Sequence, residues 1–206
     1  MSESVSEKIA DVVELERFLP ESYADILESL ICGSGGFLWQ YNASTNNQTA
    51  PEIMNKDARS YEADQFVHAL YQEGERRSEF FDIVFPMFYF MEDKTGVTLA
   101  GPERMKANLL VQRAVEDGTY NTPHIDIAAP GHKSLLYYVK DSDGDTYLFN
   151  ETFQQTSRGG KALTLRKRVS PRKGKAVLFN SNIWHASSHP RDHATRVVLN
   201  FVFKVK

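Results

Sequence analysis

The chain has 206 residues, 41% of them hydrophobic, and a formal net charge of −3; that is enough for one well-cored domain with extensions and leaves a second catalytic domain unexpected. The mildly negative balance excludes a broad electrostatic pull toward phosphate backbones or anionic lipid, so neither nucleic acid nor a membrane surface is an expected partner. A single cysteine, Cys32, excludes an internal disulfide and a thiolate-rich metal site.

The opening MSESVSEKIADVVELERFLP is acidic and amphipathic, without the charged and apolar regions of a signal peptide, and no apolar run approaches membrane-spanning length. The expectation is a soluble, cytoplasmic protein. Pro20 stands where a first helical turn tolerates it, Tyr23, Ile26, Leu27 and Leu30 recur at helical spacing, and Gly33 can end the segment, which predicts a first helix. Residues 31 to 60 are polar and turn-rich and read as a long loop or flap. A second helix is predicted from about Tyr61, with Phe66, Val67, Leu70 and Tyr71 on one side. Phe80 to Met91 reads as a buried helix interrupted by Pro86.

After Gly101 the pattern changes to short strands separated by turns: Met105 to Val115, Ser134 to Val139, Thr146 to Asn150, Ala162 to Val169, Lys175 to Asn180 and Thr195 to Lys204. Strands this closely spaced imply a sandwich or barrel. The fold expected is α+β, mainly β. Residues 1–206 form a single domain, with 1–100 a helical support region and loop, and 101–206 the barrel core.

The last strand carries the sharpest inference. With a period of two, Arg196, Val198, Asn200 and Val202 face one way, while Val197, Leu199, Phe201 and Phe203 face the other. The second row is a packing surface for the N-terminal helices. The first therefore takes a guanidinium into the interior, where it needs either an internal carboxylate or a bound anion such as a dicarboxylate.

The chemistry-bearing triplet is His124-Ile-Asp126, joined later by an isolated His185. Two neutral imidazoles and one carboxylate can occupy one face of a six-coordinate ferrous ion and leave three positions open. Taken with Tyr120, Ser134-Leu-Leu-Tyr-Tyr-Val139, Asp143-Gly-Asp-Thr-Tyr147, Pro171-Arg-Lys-Gly174, Val177-Leu-Phe179, Trp184-His185 and Ala194-Thr-Arg-Val-Val198, this ordered set resembles the catalytic domain of iron(II)- and 2-oxoglutarate-dependent oxygenases, nearest the prolyl-4-hydroxylase-like branch. The resemblance covers about the C-terminal half. It implies a double-stranded β-helix, a jelly-roll or cupin-like barrel, with N-terminal helices packed on one sheet.

It further implies that His124, Asp126 and His185 hold Fe(II), and that Arg196 and Tyr138 clamp the distal carboxylate of 2-oxoglutarate, a pairing that suits a carboxylate. Tyr120 and Asn200 are possible pocket residues. The activity implied is hydroxylation of a peptidyl side chain or a small molecule with dioxygen, with succinate and carbon dioxide as co-products and ascorbate as a candidate reductant. The Gly-Gly-Glu-like turn of relatives reads Gly144-Asp145-Thr146 here, and the His185 to Arg196 interval is slightly long, which weakens any claim to a proline substrate.

Other patterns are weaker. His185, His189 and His193 mimic a zinc helix, but Pro190 breaks it and Ala186 stands where a zincin needs Glu. Asp141, Asp143 and Asp145 suggest a calcium loop without its glycine and glutamate in place, and read better as a solvated hairpin turn. His68 and His132 read as satisfied polar residues. Thr152 to Lys161 and the 31 to 60 loop are candidate lids. The alternative to an enzyme is a jelly-roll module that binds a metal or an anion without turnover; a nucleic-acid dealkylase is disfavoured by the charge balance.

Overall fold

The computed structural model describes residues 11–33, 36–45, 60–61, 63–156 and 162–206. The chain begins with strand β1 (Val12–Leu15) and helix α1 (Glu21–Cys32). Pro20 precedes the helix and Gly33 ends it, returning its N–H to Ser29 O at 3.1 Å, while Ala24, Leu27 and Ile31 are the buried face. Ile26, expected inside, is 53% exposed, because the buried stripe is rotated by one residue from the predicted one. Strand β2 (Gln40–Asn42) lies in the stretch read as a loop, and residues 34–35 and 46–59 of that stretch fall outside the described residues.

Strands β3 (Ser60–Tyr61), β4 (Gln65–Gln72) and β5 (Glu75–Arg76) follow. The helix predicted from Tyr61 is therefore wrong. A short apolar run at positions 66, 67, 70 and 71 fits either period, and the ladder that this segment forms with the next long strand decides for the sheet. Phe80 to Met91 is helical as expected, broken at Pro86 into α2 (Phe81–Val84) and α3 (Met87–Thr95). Gly96, at φ 68°, closes α3 in the left-handed conformation that a residue with a Cβ resists.

The remainder is β6 (Leu99–Val111), β7 (Tyr120–Asn121), β8 (His132–Tyr138), β9 (Thr146–Thr152), the helical turn α4 (Phe153–Thr156), β10 (Leu165–Val169), β11 (Ala176–Asn180), β12 (Ile183–Ser187) and β13 (Thr195–Val205). A large sheet runs in the order β1-β11-β8-β13-β6-β4-β2, with β5 hydrogen-bonded to β4; a smaller one runs β10-β9-β12. The two form a double-stranded β-helix. All six predicted strands after residue 100 are present; β1 and β12 were not foreseen. Of the Thr152 to Lys161 segment, residues 157–161 lie outside the described residues. The part before them is anchored by Trp184 Nε1 donating to Thr156 Oγ1 at 2.9 Å.

Register assigns the faces. Val197, Leu199, Phe201 and Phe203 pack on the helical side, where Phe88 of α3 sits 5.4 Å from Phe201 and 5.2 Å from Phe203 between ring centroids. On the opposite side Val198 joins Leu136, Tyr138, Leu148, Val177 and Phe179 between the two sheets. Among the described residues no helix is long and apolar enough to cross a membrane.

Candidate metal and co-substrate site

His124 and His185 face each other in one isolated antiparallel bridge, and each backbone N–H donates to the other's carbonyl at 2.9 Å. That exchange holds their rings at a centroid separation of 4.4 Å with no help from the side chains. Two residues on, Asp126 is fixed by its own N–H to Ser181 O at 3.0 Å. One donor atom from each of His124, Asp126 and His185 falls within 4.8 Å of the other two, and among the described residues no other such cluster exists.

Their protonation states suit a divalent cation. Burial pushes His124 down to a pKa of about 3, aided by the neighbouring His185, and burial likewise lowers His185. Burial alone would raise Asp126, but its electrostatic interactions with His185 and Arg104 and a hydrogen bond from Ser134 hold it well below the usual carboxylate range. Both imidazoles are therefore neutral and the carboxylate ionised at neutral pH, as metal coordination requires.

Surrounding contacts orient the donors. His185 Nδ1 lies 3.0 Å from Ile183 O, so it carries the proton and leaves Nε2 with its lone pair facing Asp126 Oδ2, 3.6 Å away. Ser134 Oγ donates to that same Oδ2 at 2.6 Å, and the guanidinium of Arg104 engages Oδ1. His124 Nδ1 is buried with no hydrogen-bond partner. An orphaned imidazole nitrogen beside a neutral imidazole and an ionised carboxylate fits an Fe(II) ion.

One small open cavity is lined by His124, His185, Asn200, Thr146 and Arg196. Arg196 is 3% exposed. Its Nε donates to Gly144 O and its Nη2 to Thr146 Oγ1, both at 2.7 Å, and Tyr138 OH donates to the same Thr146 oxygen at 2.8 Å. Among the described residues no carboxylate pairs with it; the nearest, Asp145, is taken by Arg168. Burial lowers the Arg196 pKa, while Tyr138 and Asp145 act the other way. Burial raises that of Tyr138, which stays protonated and able to donate.

The turn before β9 has a structural task. A Cβ on Gly144 would meet Ser188 O at 2.6 Å and Arg196 Cδ at 2.9 Å, so only glycine lets the guanidinium pass. The hairpin read as solvated is not: Asp145 is 2% exposed, and Asp143 accepts the backbone N–H groups of Arg191 and Asp192 at 3.0 Å. Asp141 instead accepts Lys173 N at 2.8 Å, so the three aspartates are parted among separate tasks. His189 and His193 lie beyond β12 on no helix, bonded to Val111 O and Asp143. His68 is satisfied by Leu38 O and Ser78 Oγ.

Asn200 is buried in the cavity wall with its Oδ1 unpartnered. Tyr120 is placed in an aromatic cluster with Tyr147 and Phe149, at 4.9 and 5.4 Å, and does not itself line the cavity. Ser134, Arg104, Thr146 and Lys106 were missed by the sequence reading. The signal lay in β6, whose Arg104, Lys106, Asn108 and Leu110 alternate with Met105, Ala107, Leu109 and Val111.

The fold and this site together define a class. No family model and no curated protein matches the sequence. Solved structures do match the fold. One is a 2OG-Fe(II) oxygenase family oxidoreductase from Burkholderia pseudomallei, at TM-score 0.60 and 13% identity over 94% of this chain and 85% of that one. Another is a Pseudomonas putida prolyl-4-hydroxylase, at TM-score 0.53 and 15% identity over 94% and 92%. A third is SnoN, a non-heme alpha ketoglutarate dependent epimerase from nogalamycin biosynthesis, at TM-score 0.60 and 11% identity over 94% and 78%. SnoN is also seen in complex with Fe3+ and alpha ketoglutarate. The chain thus has the fold of the 2OG-Fe(II) oxygenases, prolyl-4-hydroxylases among them.

Proposed function

We propose that the protein is an Fe(II)- and 2-oxoglutarate-dependent dioxygenase that hydroxylates a peptidyl side chain or a small molecule. The observation that carries this reading is one cavity lined both by His124 and His185 of the neutral, neutral, anionic donor set and by a buried guanidinium with which no carboxylate of the described residues pairs. His124, Asp126 and His185 would hold the iron, and Arg196 with Tyr138 and Thr146 would hold the distal carboxylate of 2-oxoglutarate. The bound pair supplies the oxidation of substrate by dioxygen, with succinate and carbon dioxide as co-products.

The protein's own contribution is placement. The His124–His185 bridge fixes two donors through backbone, Ser134 and Arg104 fix the third, and the Gly144 carbonyl fixes Arg196 before any ligand arrives. The aromatic and aliphatic residues between the sheets keep water from the inner end of the cavity. Ascorbate would serve only to return oxidised iron to Fe(II).

An anaerobic titration with Fe(II) and then 2-oxoglutarate tests the reading. A metal-to-ligand charge-transfer band is expected only when both are present, with succinate formed after oxygen is admitted. A band without succinate under any substrate would leave a binding module, and no band at all would overturn the assignment.

A further inference from the structure

Lys106 is the one cation of this inner face that nothing in the described chain engages. On β6 it stands opposite Asn200 of β13 and Ala69 of β4, in the same row of side chains as Arg104 and Asn108. Arg104 is committed to Asp126, whereas Lys106 has neither an ion pair nor a hydrogen bond among the described residues. Asn200 and Asn108 both line the cavity and Arg104 reaches Asp126, so the row places Lys106 between the cavity wall and the metal donors. Burial, with Arg104 next to it, draws its pKa down to about 8, and Asp126 acts the other way. It therefore remains mostly charged at neutral pH and is short of negative charge.

The co-substrate does not supply that charge. Arg196 lies opposite Leu110, four residues along β6 from Lys106, which is about 13 Å of strand. A dicarboxylate gripped by Arg196 would take up that end of the row, whereas Lys106 lies at the other, between Arg104, which engages Asp126, and the cavity-lining Asn108. One ammonium, with Arg104 already engaged, matches a single negative charge better than a phosphate dianion.

We propose that the substrate carries a carboxylate and that Lys106 receives it as it enters beside the metal donors. The inference rests on the oxygenase reading and narrows its substrate class to acids: free acids, or peptides presenting an acidic side chain near the target.

The test uses the Fe(II)- and 2-oxoglutarate-loaded protein under argon and follows perturbation of the charge-transfer band. Matched probes are N-acetylglycine against N-acetylglycinamide for the free acid, and acetyl-Gly-Asp-Gly-amide against acetyl-Gly-Asn-Gly-amide for the peptide. At least one acid is expected to bind about tenfold more tightly than its amide, as one charged hydrogen bond implies, and which pair responds identifies the source of the carboxylate. In Lys106→Met that preference disappears, and in Lys106→Arg it returns in part. The inference is overturned if neither acid outcompetes its amide, or if the preference survives in Lys106→Met. It is equally overturned if Lys106→Met weakens 2-oxoglutarate more than the acid, or if its only effect is a lower melting temperature. Failure of the band to form in the wild-type protein would instead remove the oxygenase reading itself.

Discussion

The two faces of β13 obey different rules. Val197, Leu199, Phe201 and Phe203 are close-packed in the apolar cluster that includes α3, whereas Arg196 and Asn200, on alternating positions of the same strand, bury a charge and an amide in the wall of the cavity. Of the two inward residues, Asn200 keeps an oxygen with no partner, while Arg196, though its Nε and Nη2 are hydrogen-bonded, has no carboxylate paired with it among the described residues. The first face is complete without a ligand. The second is built around what it has yet to bind, so damage to the two should register in different measurements.

The largest expected effect on the inner face is His124→Ala, which abolishes iron binding and turnover while the melting temperature of the metal-free protein stays the same or rises, since a buried imidazole with an orphaned nitrogen is removed. Anaerobic iron titration and a thermal melt would be read together. A collapsed fold in this variant would erase the distinction between the faces. On the outer face, Phe201→Ala should cost about 3–5 kcal/mol in denaturant unfolding, through a cavity between β13 and α3. Iron affinity of the fraction still folded should not change.

Arg196→Ala sharpens the contrast. Losing a guanidinium that can offer a carboxylate two charge-assisted hydrogen bonds should raise the 2-oxoglutarate requirement about a hundredfold, from roughly 1.5 kcal/mol per bond. Iron binding should barely move, and the unliganded protein should be no less stable, because an uncompensated buried charge has gone. A parallel loss of iron and 2-oxoglutarate would mean that Arg196 props the barrel. Smaller again is Ser134→Ala, which removes the hydroxyl that holds Asp126 Oδ2 and should weaken iron about tenfold to a hundredfold without touching 2-oxoglutarate.

The two faces were also unequally legible. A period of two in the last strand assigned Arg196 inward and Phe201 outward before any coordinates, because alternation is a local property of the chain. The triad could be named, but the bridge that joins His124 to His185 could not, since 61 residues separate them in sequence and only the folded sheet pairs them. Ser134 and Arg104 were invisible for a related reason: a serine or an arginine on a strand announces no partner. β4 was misread as helix because four apolar positions in a short run satisfy both periods, and only pairing with β6 separates them. Asp145 was misread as solvated because nothing in Asp143-Gly-Asp145 foretells that Arg168 folds over it.

The most diagnostic effect is the pH dependence of the metal-free protein. His124 and His185 have folded-state pKa values below their unfolded ones, so below about pH 6.5 the unfolded chain binds protons that the folded chain refuses, and stability falls as pH falls. Each such group contributes about 1.4 kcal/mol per pH unit within its window, which for His124 extends from its ordinary value down to about 3. Asp126, held low by His185 and Arg104, adds loss in the same direction only at more acid pH. Iron should raise this curve by a nearly constant amount above about pH 5, because His124 is already neutral in the folded protein and binds no proton for the metal to displace. Urea midpoints from pH 7.5 to 5, with and without Fe(II) under argon, should therefore run parallel. Two curves that converge toward acid pH would show that the imidazoles titrate as solvated groups in the folded protein.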